Sequence, residues 1–360
     1  MRMENKLNTG QMLLVGFRGC QIEPDHWLVD AIRNQGLGGV ILFDRNVDGS
    51  VQNIESPSQL RQLTASLQSY AETRLFIAVD QEGGRVCRLK ERDGFAPSMS
   101  AAALADLAKT DNSAFLDYFD NAAAMLAAHG INLNFAPVVD LDLNPHNPII
   151  GRYGRSYGSR ADIVTICAVL FIVAHHHHGV GCCLKHFPGH GSAGGDSHLG
   201  FVESTDQWSA DELIPYQWLV AGGYSDGIMT AHLVNRQLDP TGMPATLSTA
   251  MVDGIVRRQL GFNGVVFSDD LQMRAISNGW GYREAVQRAV LAGVDVLVVG
   301  NNLALQPDAV QVAVEAIAEL LDSGRINEKR ITDSLARIEQ FKKYMTGQLS
   351  WPKNYHPTAG

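Results

Sequence analysis

Eight short apolar runs separated by helix-length segments constrain this chain more than any other feature. They are Met12–Phe17, Gly39–Phe43, Leu75–Asp80, Leu133–Asp140, Gly181–His186, Gly227–His232, Val265–Asp269 and Val294–Gly300. Each is rich in Val, Ile, Leu and Phe along its whole length, which is what a strand needs when both of its faces are covered in a parallel sheet. Between them, Leu60 to Ala71, Ala101 to Ala128, Ile163 to Ala174, Ala250 to Leu260 and Tyr282 to Ala292 carry helical periodicity. Ser56 before Pro57 reads as an N-cap followed by a first-turn proline, and Gly261 and Gly293 stand where left-handed C-terminal caps belong. Eight alternations over 360 residues predict an α/β fold, a single (β/α)8 TIM-type barrel rather than an open doubly wound sheet. Beyond the eighth run, Asp308 to Leu321 and Asn327 to Tyr344 are expected as terminal helices, the second amphipathic. No repeat or linker marks a second domain, so residues 1–346 are expected to form the barrel and 347–360 a loose tail.

Composition narrows the partners. With 45% hydrophobic residues the chain can bury a large core, and its net charge of -9 argues against nucleic acid, which attracts basic surfaces. The segment up to Phe17 lacks the layout of a signal peptide, and no apolar stretch approaches the roughly 18 residues that span a bilayer. The expectation is a cytoplasmic protein with no membrane contact, acting as a monomer. Five cysteines, two of them adjacent as Cys182 and Cys183, do not form the spaced, even set of a disulfide framework.

Functional side chains of a parallel barrel gather at the C-terminal ends of its strands. Asp80 ends the third run, Lys185 and His186 the fifth, His232 the sixth, and Asp269 with Asp270 the seventh. Any one of these could be a structural ion pair or a cap; four such strand ends together point to a site. Side chains alternate along a strand, so Asp269 and Asp270 cannot both face a ligand.

The stretch KHFPGHGSAGGDSH, Lys185 to His198, follows the fifth run and is dense in glycine. Asp196 and His198 lie two residues apart on it, a spacing in which a carboxylate can orient an imidazole as proton carrier. His186, His190 and His198 could instead bind a divalent metal, but such hydrolases usually present paired histidines on the first strand, where none occurs. His190 is read as a loop-stabilising residue. The tract His175–His178 continues a helical segment and reads as a solvated helix end, and Cys87 as inert packing.

Seven pieces carry a family resemblance: VDQEGGRVCR (Val79–Arg88), FAPVVDLD (Phe135–Asp142), NPIIGRYGRSYG (Asn147–Gly158), KHFPGHG with DSH, MTAHL (Met229–Leu233), PATLS (Pro244–Ser248) and GVVFSDDLQM (Gly264–Met273). In this order they resemble glycoside hydrolase family three, specifically its β-N-acetylhexosaminidase branch, which includes the peptidoglycan-recycling enzyme. The resemblance implies a retaining exo-β-N-acetylglucosaminidase without metal or organic cofactor. Asp269 would be the nucleophile that forms a covalent glycosyl-enzyme, and Asp196 with His198 the acid/base dyad. Asp80, Arg88, Arg155, Lys185 and His186 would bind the sugar, with Arg152 a competitor of Arg155. The substrate implied is a muropeptide bearing terminal N-acetylglucosamine.

The chemistry holds together without the family. A retaining mechanism needs one ionised nucleophile and one group that donates and then accepts a proton. Asp80 can accept from sugar hydroxyls, while Arg88, Arg155 and Lys185 only donate. Two alternatives remain: a β-glucosidase-like relative without the acetamide preference, and an inactive barrel that senses cell-wall sugars.

Overall fold

The computed structural model describes residues 7–144, 146–195 and 200–351. All eight apolar runs contain a strand: β1 Leu13–Val15, β2 Gly39–Leu42, β3 Phe76–Val79, β4 Leu133–Asn134, β5 Gly181–Phe187, β6 Gly227–Thr230, β7 Val265–Ser268 and β8 Leu297–Val299. Consecutive strands pair in parallel from β1 to β7. β8 then pairs with β1, Leu13 opposite Leu297 and Val15 opposite Val299, and a Phe267–Val296 bridge joins β7 to the start of the β8 run. The sheet is thereby a ring, the predicted TIM-type barrel, with no long edge exposed. Inside it Phe76, Phe135 and Phe267 pack edge to face, with centroids 5.5–6.1 Å apart.

β4 is shorter than its run because Pro137 has no N–H to give the ladder. The path still continues: Phe135 N–H donates to Val79, and Val138 bridges Lys185. A short parallel ribbon, Val202–Glu203 against Leu233–Val234, lies outside the barrel.

The helices follow the local signals. Ser56 Oγ accepts from Gln59 N–H at the head of Pro57–Ser69, whose Leu60, Leu63, Thr64 and Leu67 are buried at the spacing of one helical face. Gly293 closes Tyr282–Ala292 at φ 113°, as expected of a left-handed cap. The expected single helix Ala101 to Ala128 is instead two, Ala101–Thr110 and Asn112–Ala128. Asp111 divides them: its carboxylate caps Ala114 N–H at 3.0 Å, a local bond that competes with helix continuation. The segment Ala250–Gln259 winds as a π-helix.

The last helix, Glu328–Met345, crosses the N-terminal end of the barrel. Its Phe341 ring packs on Phe76 at 5.5 Å, and its buried Lys342 donates to Gln11 Oε1 and Gly38 O. Asp295, fully buried before β8, holds Arg257, Ser334 and Arg337 together and so fastens this helix to the barrel. No helix among the described residues is long and apolar enough to cross a membrane. All five cysteines are free thiols, and Cys87 is buried as expected.

The histidine tract departs from expectation. The helix runs to His177, and four consecutive residues at a 3.6-residue period fan around most of a turn, so the tract cannot face solvent as a unit. His175 is completely buried, stacked on Phe171 and paired with Asn134, and burial lowers its pKa to about 3. His176 is buried against Asp226 at 2.6 Å. Only His177 is openly exposed; His178 bonds Asp120.

Candidate active site

A cavity of about 230 Å³ opens at the C-terminal end of the barrel, and Asp80, Arg88, Arg155, Lys185, His186 and Asp269 all line it. Asp196 and His198 lie outside the described residues.

Each side chain arrives by a local device. Asp80 follows β3, and the turn after it doubles back: Gln81 Oε1 accepts both Arg88 and Leu89 N–H groups, which brings Arg88 Nη2 to Asp80 at 3.2 Å. Gly83 makes that turn possible. It sits at φ 108°, and a Cβ there would lie 2.0 Å from Met99 O. Lys185 and His186 come from neighbouring positions of β5 and join the same polar chain at different points.

Lys185 Nζ reaches Asp80 at 2.8 Å and Glu82 at 2.7 Å. Glu82 in turn takes a two-pronged bond from Arg155, both contacts 2.7 Å. Arg155 Nη2 then meets His186 Nε2 at 3.3 Å, while His186 Nδ1 lies 2.7 Å from Asp140. An arginine only donates, so Nε2 is the acceptor and Nδ1 carries the proton to Asp140. The result is one continuous row: Arg88, Asp80, Lys185, Glu82, Arg155, His186, Asp140.

Its electrostatics follow from alternation of sign. Burial alone would raise the Asp80 carboxyl, but Lys185 and Arg88 overcome it and hold the group well below the usual carboxylate range. Glu82 is likewise brought to about 2 against burial by Arg155 and Lys185. Burial would discharge Lys185; Asp80 and Glu82 outweigh that and raise its pKa. Side-chain exposures of 3% for Lys185 and 5% for Glu82 mean that water screens these pairs little.

Asp269 stands just past β7, its N–H donating to Thr230 O at 3.2 Å and its carboxylate accepting from Asp270 N–H at 2.8 Å. Asp270, expected to cap nearby groups, does so: its carboxylate accepts from Gln272 and Gly300 N–H groups. It still reaches the cavity wall. His232 is buried between Thr246 Oγ1 and the Asp270 carbonyl, a brace beneath this turn rather than part of the lining. Between the two candidate arginines, Arg155 lines the cavity; Arg152 lies 5.7 Å over the Tyr153 ring instead.

Beyond β5, the buried segment Pro188–Ala193 passes under the floor of the site. His190 N–H donates to Asp140, and its ring, held neutral by burial and by His186, has a pKa lowered to about 4. Among the described residues, no group of ligand atoms close enough to share a metal ion includes His186 or His190.

Glu82, Asp140, Asn147 and Glu212 escaped the sequence reading. Glu82 had a signal: three expected cations, Arg88, Arg155 and Lys185, faced only one expected partner, Asp80. Asp140 ended the fourth run as Asp80 ended the third.

The description "Glycosyl hydrolase family 3 N terminal domain" fits residues 3–341. A β-hexosaminidase of Tolumonas auensis is 37% identical over 297 residues, 81% of this chain and 83% of that protein. Among solved structures, a glycoside hydrolase family 3 β-N-acetylglucosaminidase from Paenibacillus superposes with a TM-score of 0.83 at 33% identity over 97% of this chain, which spans 64% of that longer protein. A β-N-acetylhexosaminidase from Beutenbergia cavernae gives 0.81 at 26% identity, covering 93% of this chain and 97% of that one. The chain belongs to glycosyl hydrolase family 3 and is a glycoside hydrolase.

Proposed function

We propose that the protein is a β-hexosaminidase that removes single, terminal, non-reducing β-N-acetylglucosamine residues with retention of configuration. The observation that carries this reading is the convergence of Asp269 with the charged row from Arg88 to His186 on one small cavity. Its volume of about 230 Å³ lies below the roughly 300–1,000 Å³ of sites for drug-sized ligands, which suits one sugar ring better than an oligosaccharide and favours exo-cleavage. Asp80, with Lys185 and Arg88 on separate oxygens, keeps further lone pairs for sugar hydroxyls.

In the proposed reaction Asp269 attacks the anomeric carbon as the aglycone leaves with a proton from His198, whose imidazole Asp196 orients. Water then displaces Asp269, giving its proton back to His198. The relatives' names favour an acetamido sugar. A muropeptide carrying terminal N-acetylglucosamine is the proposed natural substrate, met in the cytoplasm.

Incubation with a 5-fluoro N-acetylglucosaminyl donor, then peptide mapping, tests the reading. Asp269 should carry the label; a labelled Asp270, or no label despite inactivation, would remove Asp269 from the nucleophile's place. Matched aryl glycosides with and without the acetamide group test the sugar class, and equal turnover of both would favour a β-glucosidase-like enzyme.

A further inference from the structure

The segment Pro188–Ala193 is buried along its length, which is unusual for a connection because every backbone N–H and C=O in it then needs a partner. Two side chains from elsewhere serve five of its eleven backbone groups. On the donor side, Glu212 accepts Gly191 N–H at 2.9 Å, Ser192 N–H at 3.0 Å and the Ser192 hydroxyl. On the acceptor side, the Asn147 amide donates to His190 O at 2.7 Å, Gly191 O at 3.2 Å and Ala193 O at 2.9 Å. Asn147 is itself fixed, since its Oδ1 accepts Ile149 and Ile150 N–H groups. Trp208 Nε1 holds Pro188 O at 3.1 Å.

Glu212 is the costly member. It is fully buried, and no cation forms an ion pair with it among the described residues. Burial and the nearby Asp140 push its pKa up to about 7 against the three donors. The segment also fits closely against it: a Cβ on Gly189 would lie 2.4 Å from Glu212 Cβ. A carboxyl group kept in so unfavourable a place, with its bonds directed to one connection, makes sense if the course of that connection matters.

Ser192 precedes Asp196 by four positions. We infer that Glu212 and Asn147 are positioning residues that grip the two faces of this segment and fix the point from which the chain departs toward Asp196 and His198. The kinetic part of the inference rests on the proposed acid/base role of His198; the grip itself does not.

Hydrogen exchange on the full-length protein reads the grip directly. Glu212→Gln keeps the shape but replaces one of the two accepting oxygens by an amide N–H₂, so exchange at Gly191 or Ser192, whichever faces that group, should quicken by about tenfold or more, the effect of losing roughly 1.4 kcal/mol of local protection. Unchanged exchange at both overturns the inference. In kinetics, Glu212→Gln should slow a poor leaving group by about tenfold or more while an activated aryl leaving group loses less than about threefold, because a misplaced acid is missed only where protonation is needed. Equal losses on both overturn a positioning role toward the acid. His198→Ala run in parallel separates the two ideas: if that variant itself loses equally on both substrates, the acid assignment falls, and the exchange result still decides the grip. Should Glu212→Gln fail to fold, Asn147→Asp, which leaves three carbonyls of the segment without their donor, is held to the same kinetic criterion.

Discussion

Glu82 satisfies two cations at once, and its removal would be felt by both. With Glu82→Gln, Arg155 and Lys185 keep their charges in a nearly dry place and lose the anion between them. Breaking a buried pair in this way costs about 3–5 kcal/mol, which a urea titration would register as a lowered midpoint. The same residue predicts acid lability. Its folded pKa of about 2 lies below the ordinary 4.5, so its stabilisation is complete above pH 4.5 and is lost as the pH falls from there toward 2. The wild-type midpoint should drop across that window and the Glu82→Gln midpoint should drop less; parallel curves would contradict the assignment. At this scale Asp80, Lys185, His186 and Asp269 were legible because charged residues ending apolar runs are conspicuous, and Arg88 and Arg155 through the motifs around them. Glu82 was not, because it lies in the turn beyond a strand rather than at the strand's end.

The helix Ala161–His177 shows what an element conceals in its own sequence. Periodicity located its body, yet the histidines at its end read as solvated because composition gives no direction to a side chain. Direction comes from the turn: His175 lies over Phe171, four positions back, with ring centroids 3.9 Å apart, and its ring nitrogens meet Phe171 O and Asn134. Burial keeps it neutral, with a pKa of about 3 against the ordinary 6.5. The unfolded chain therefore binds a proton that the folded chain refuses between those values, and stability falls as pH drops from 6.5 toward 3. His175→Gln, whose carbonyl can still accept from Asn134, should flatten the stability profile in that interval. A slope identical to wild type would show that His175 is not the group responsible. The division at Asp111 has a similar lesson, since a capping side chain outweighed the helical pattern that continues on either side of it.

At the scale of the whole molecule, the barrel was readable because each strand announces itself by being apolar on both faces. The fastening of its base was not, because it depends on residues that meet only after folding. Asp295 is the centre of that fastening, with Arg257, Arg330 and Arg337 around it. Asp295→Asn should destabilise the protein by about 3–5 kcal/mol, seen in chemical unfolding, yet leave kcat of the folded fraction unchanged, since the cavity lies at the other end. A large loss of kcat with normal stability would contradict this separation.

The ring also bears on how activity returns after denaturation. Lys185 and Asp80 are 105 positions apart, Arg155 and Glu82 73 apart, and β1 must find β8 before the circle is complete. Helices form from neighbours and can regain their circular dichroism early, whereas contacts between distant parts of a chain come slowly. Recovery of turnover in a refolding experiment is thus a chemical stopwatch for the joining of the two ends of the sheet, and it should lag the optical signal of the helices.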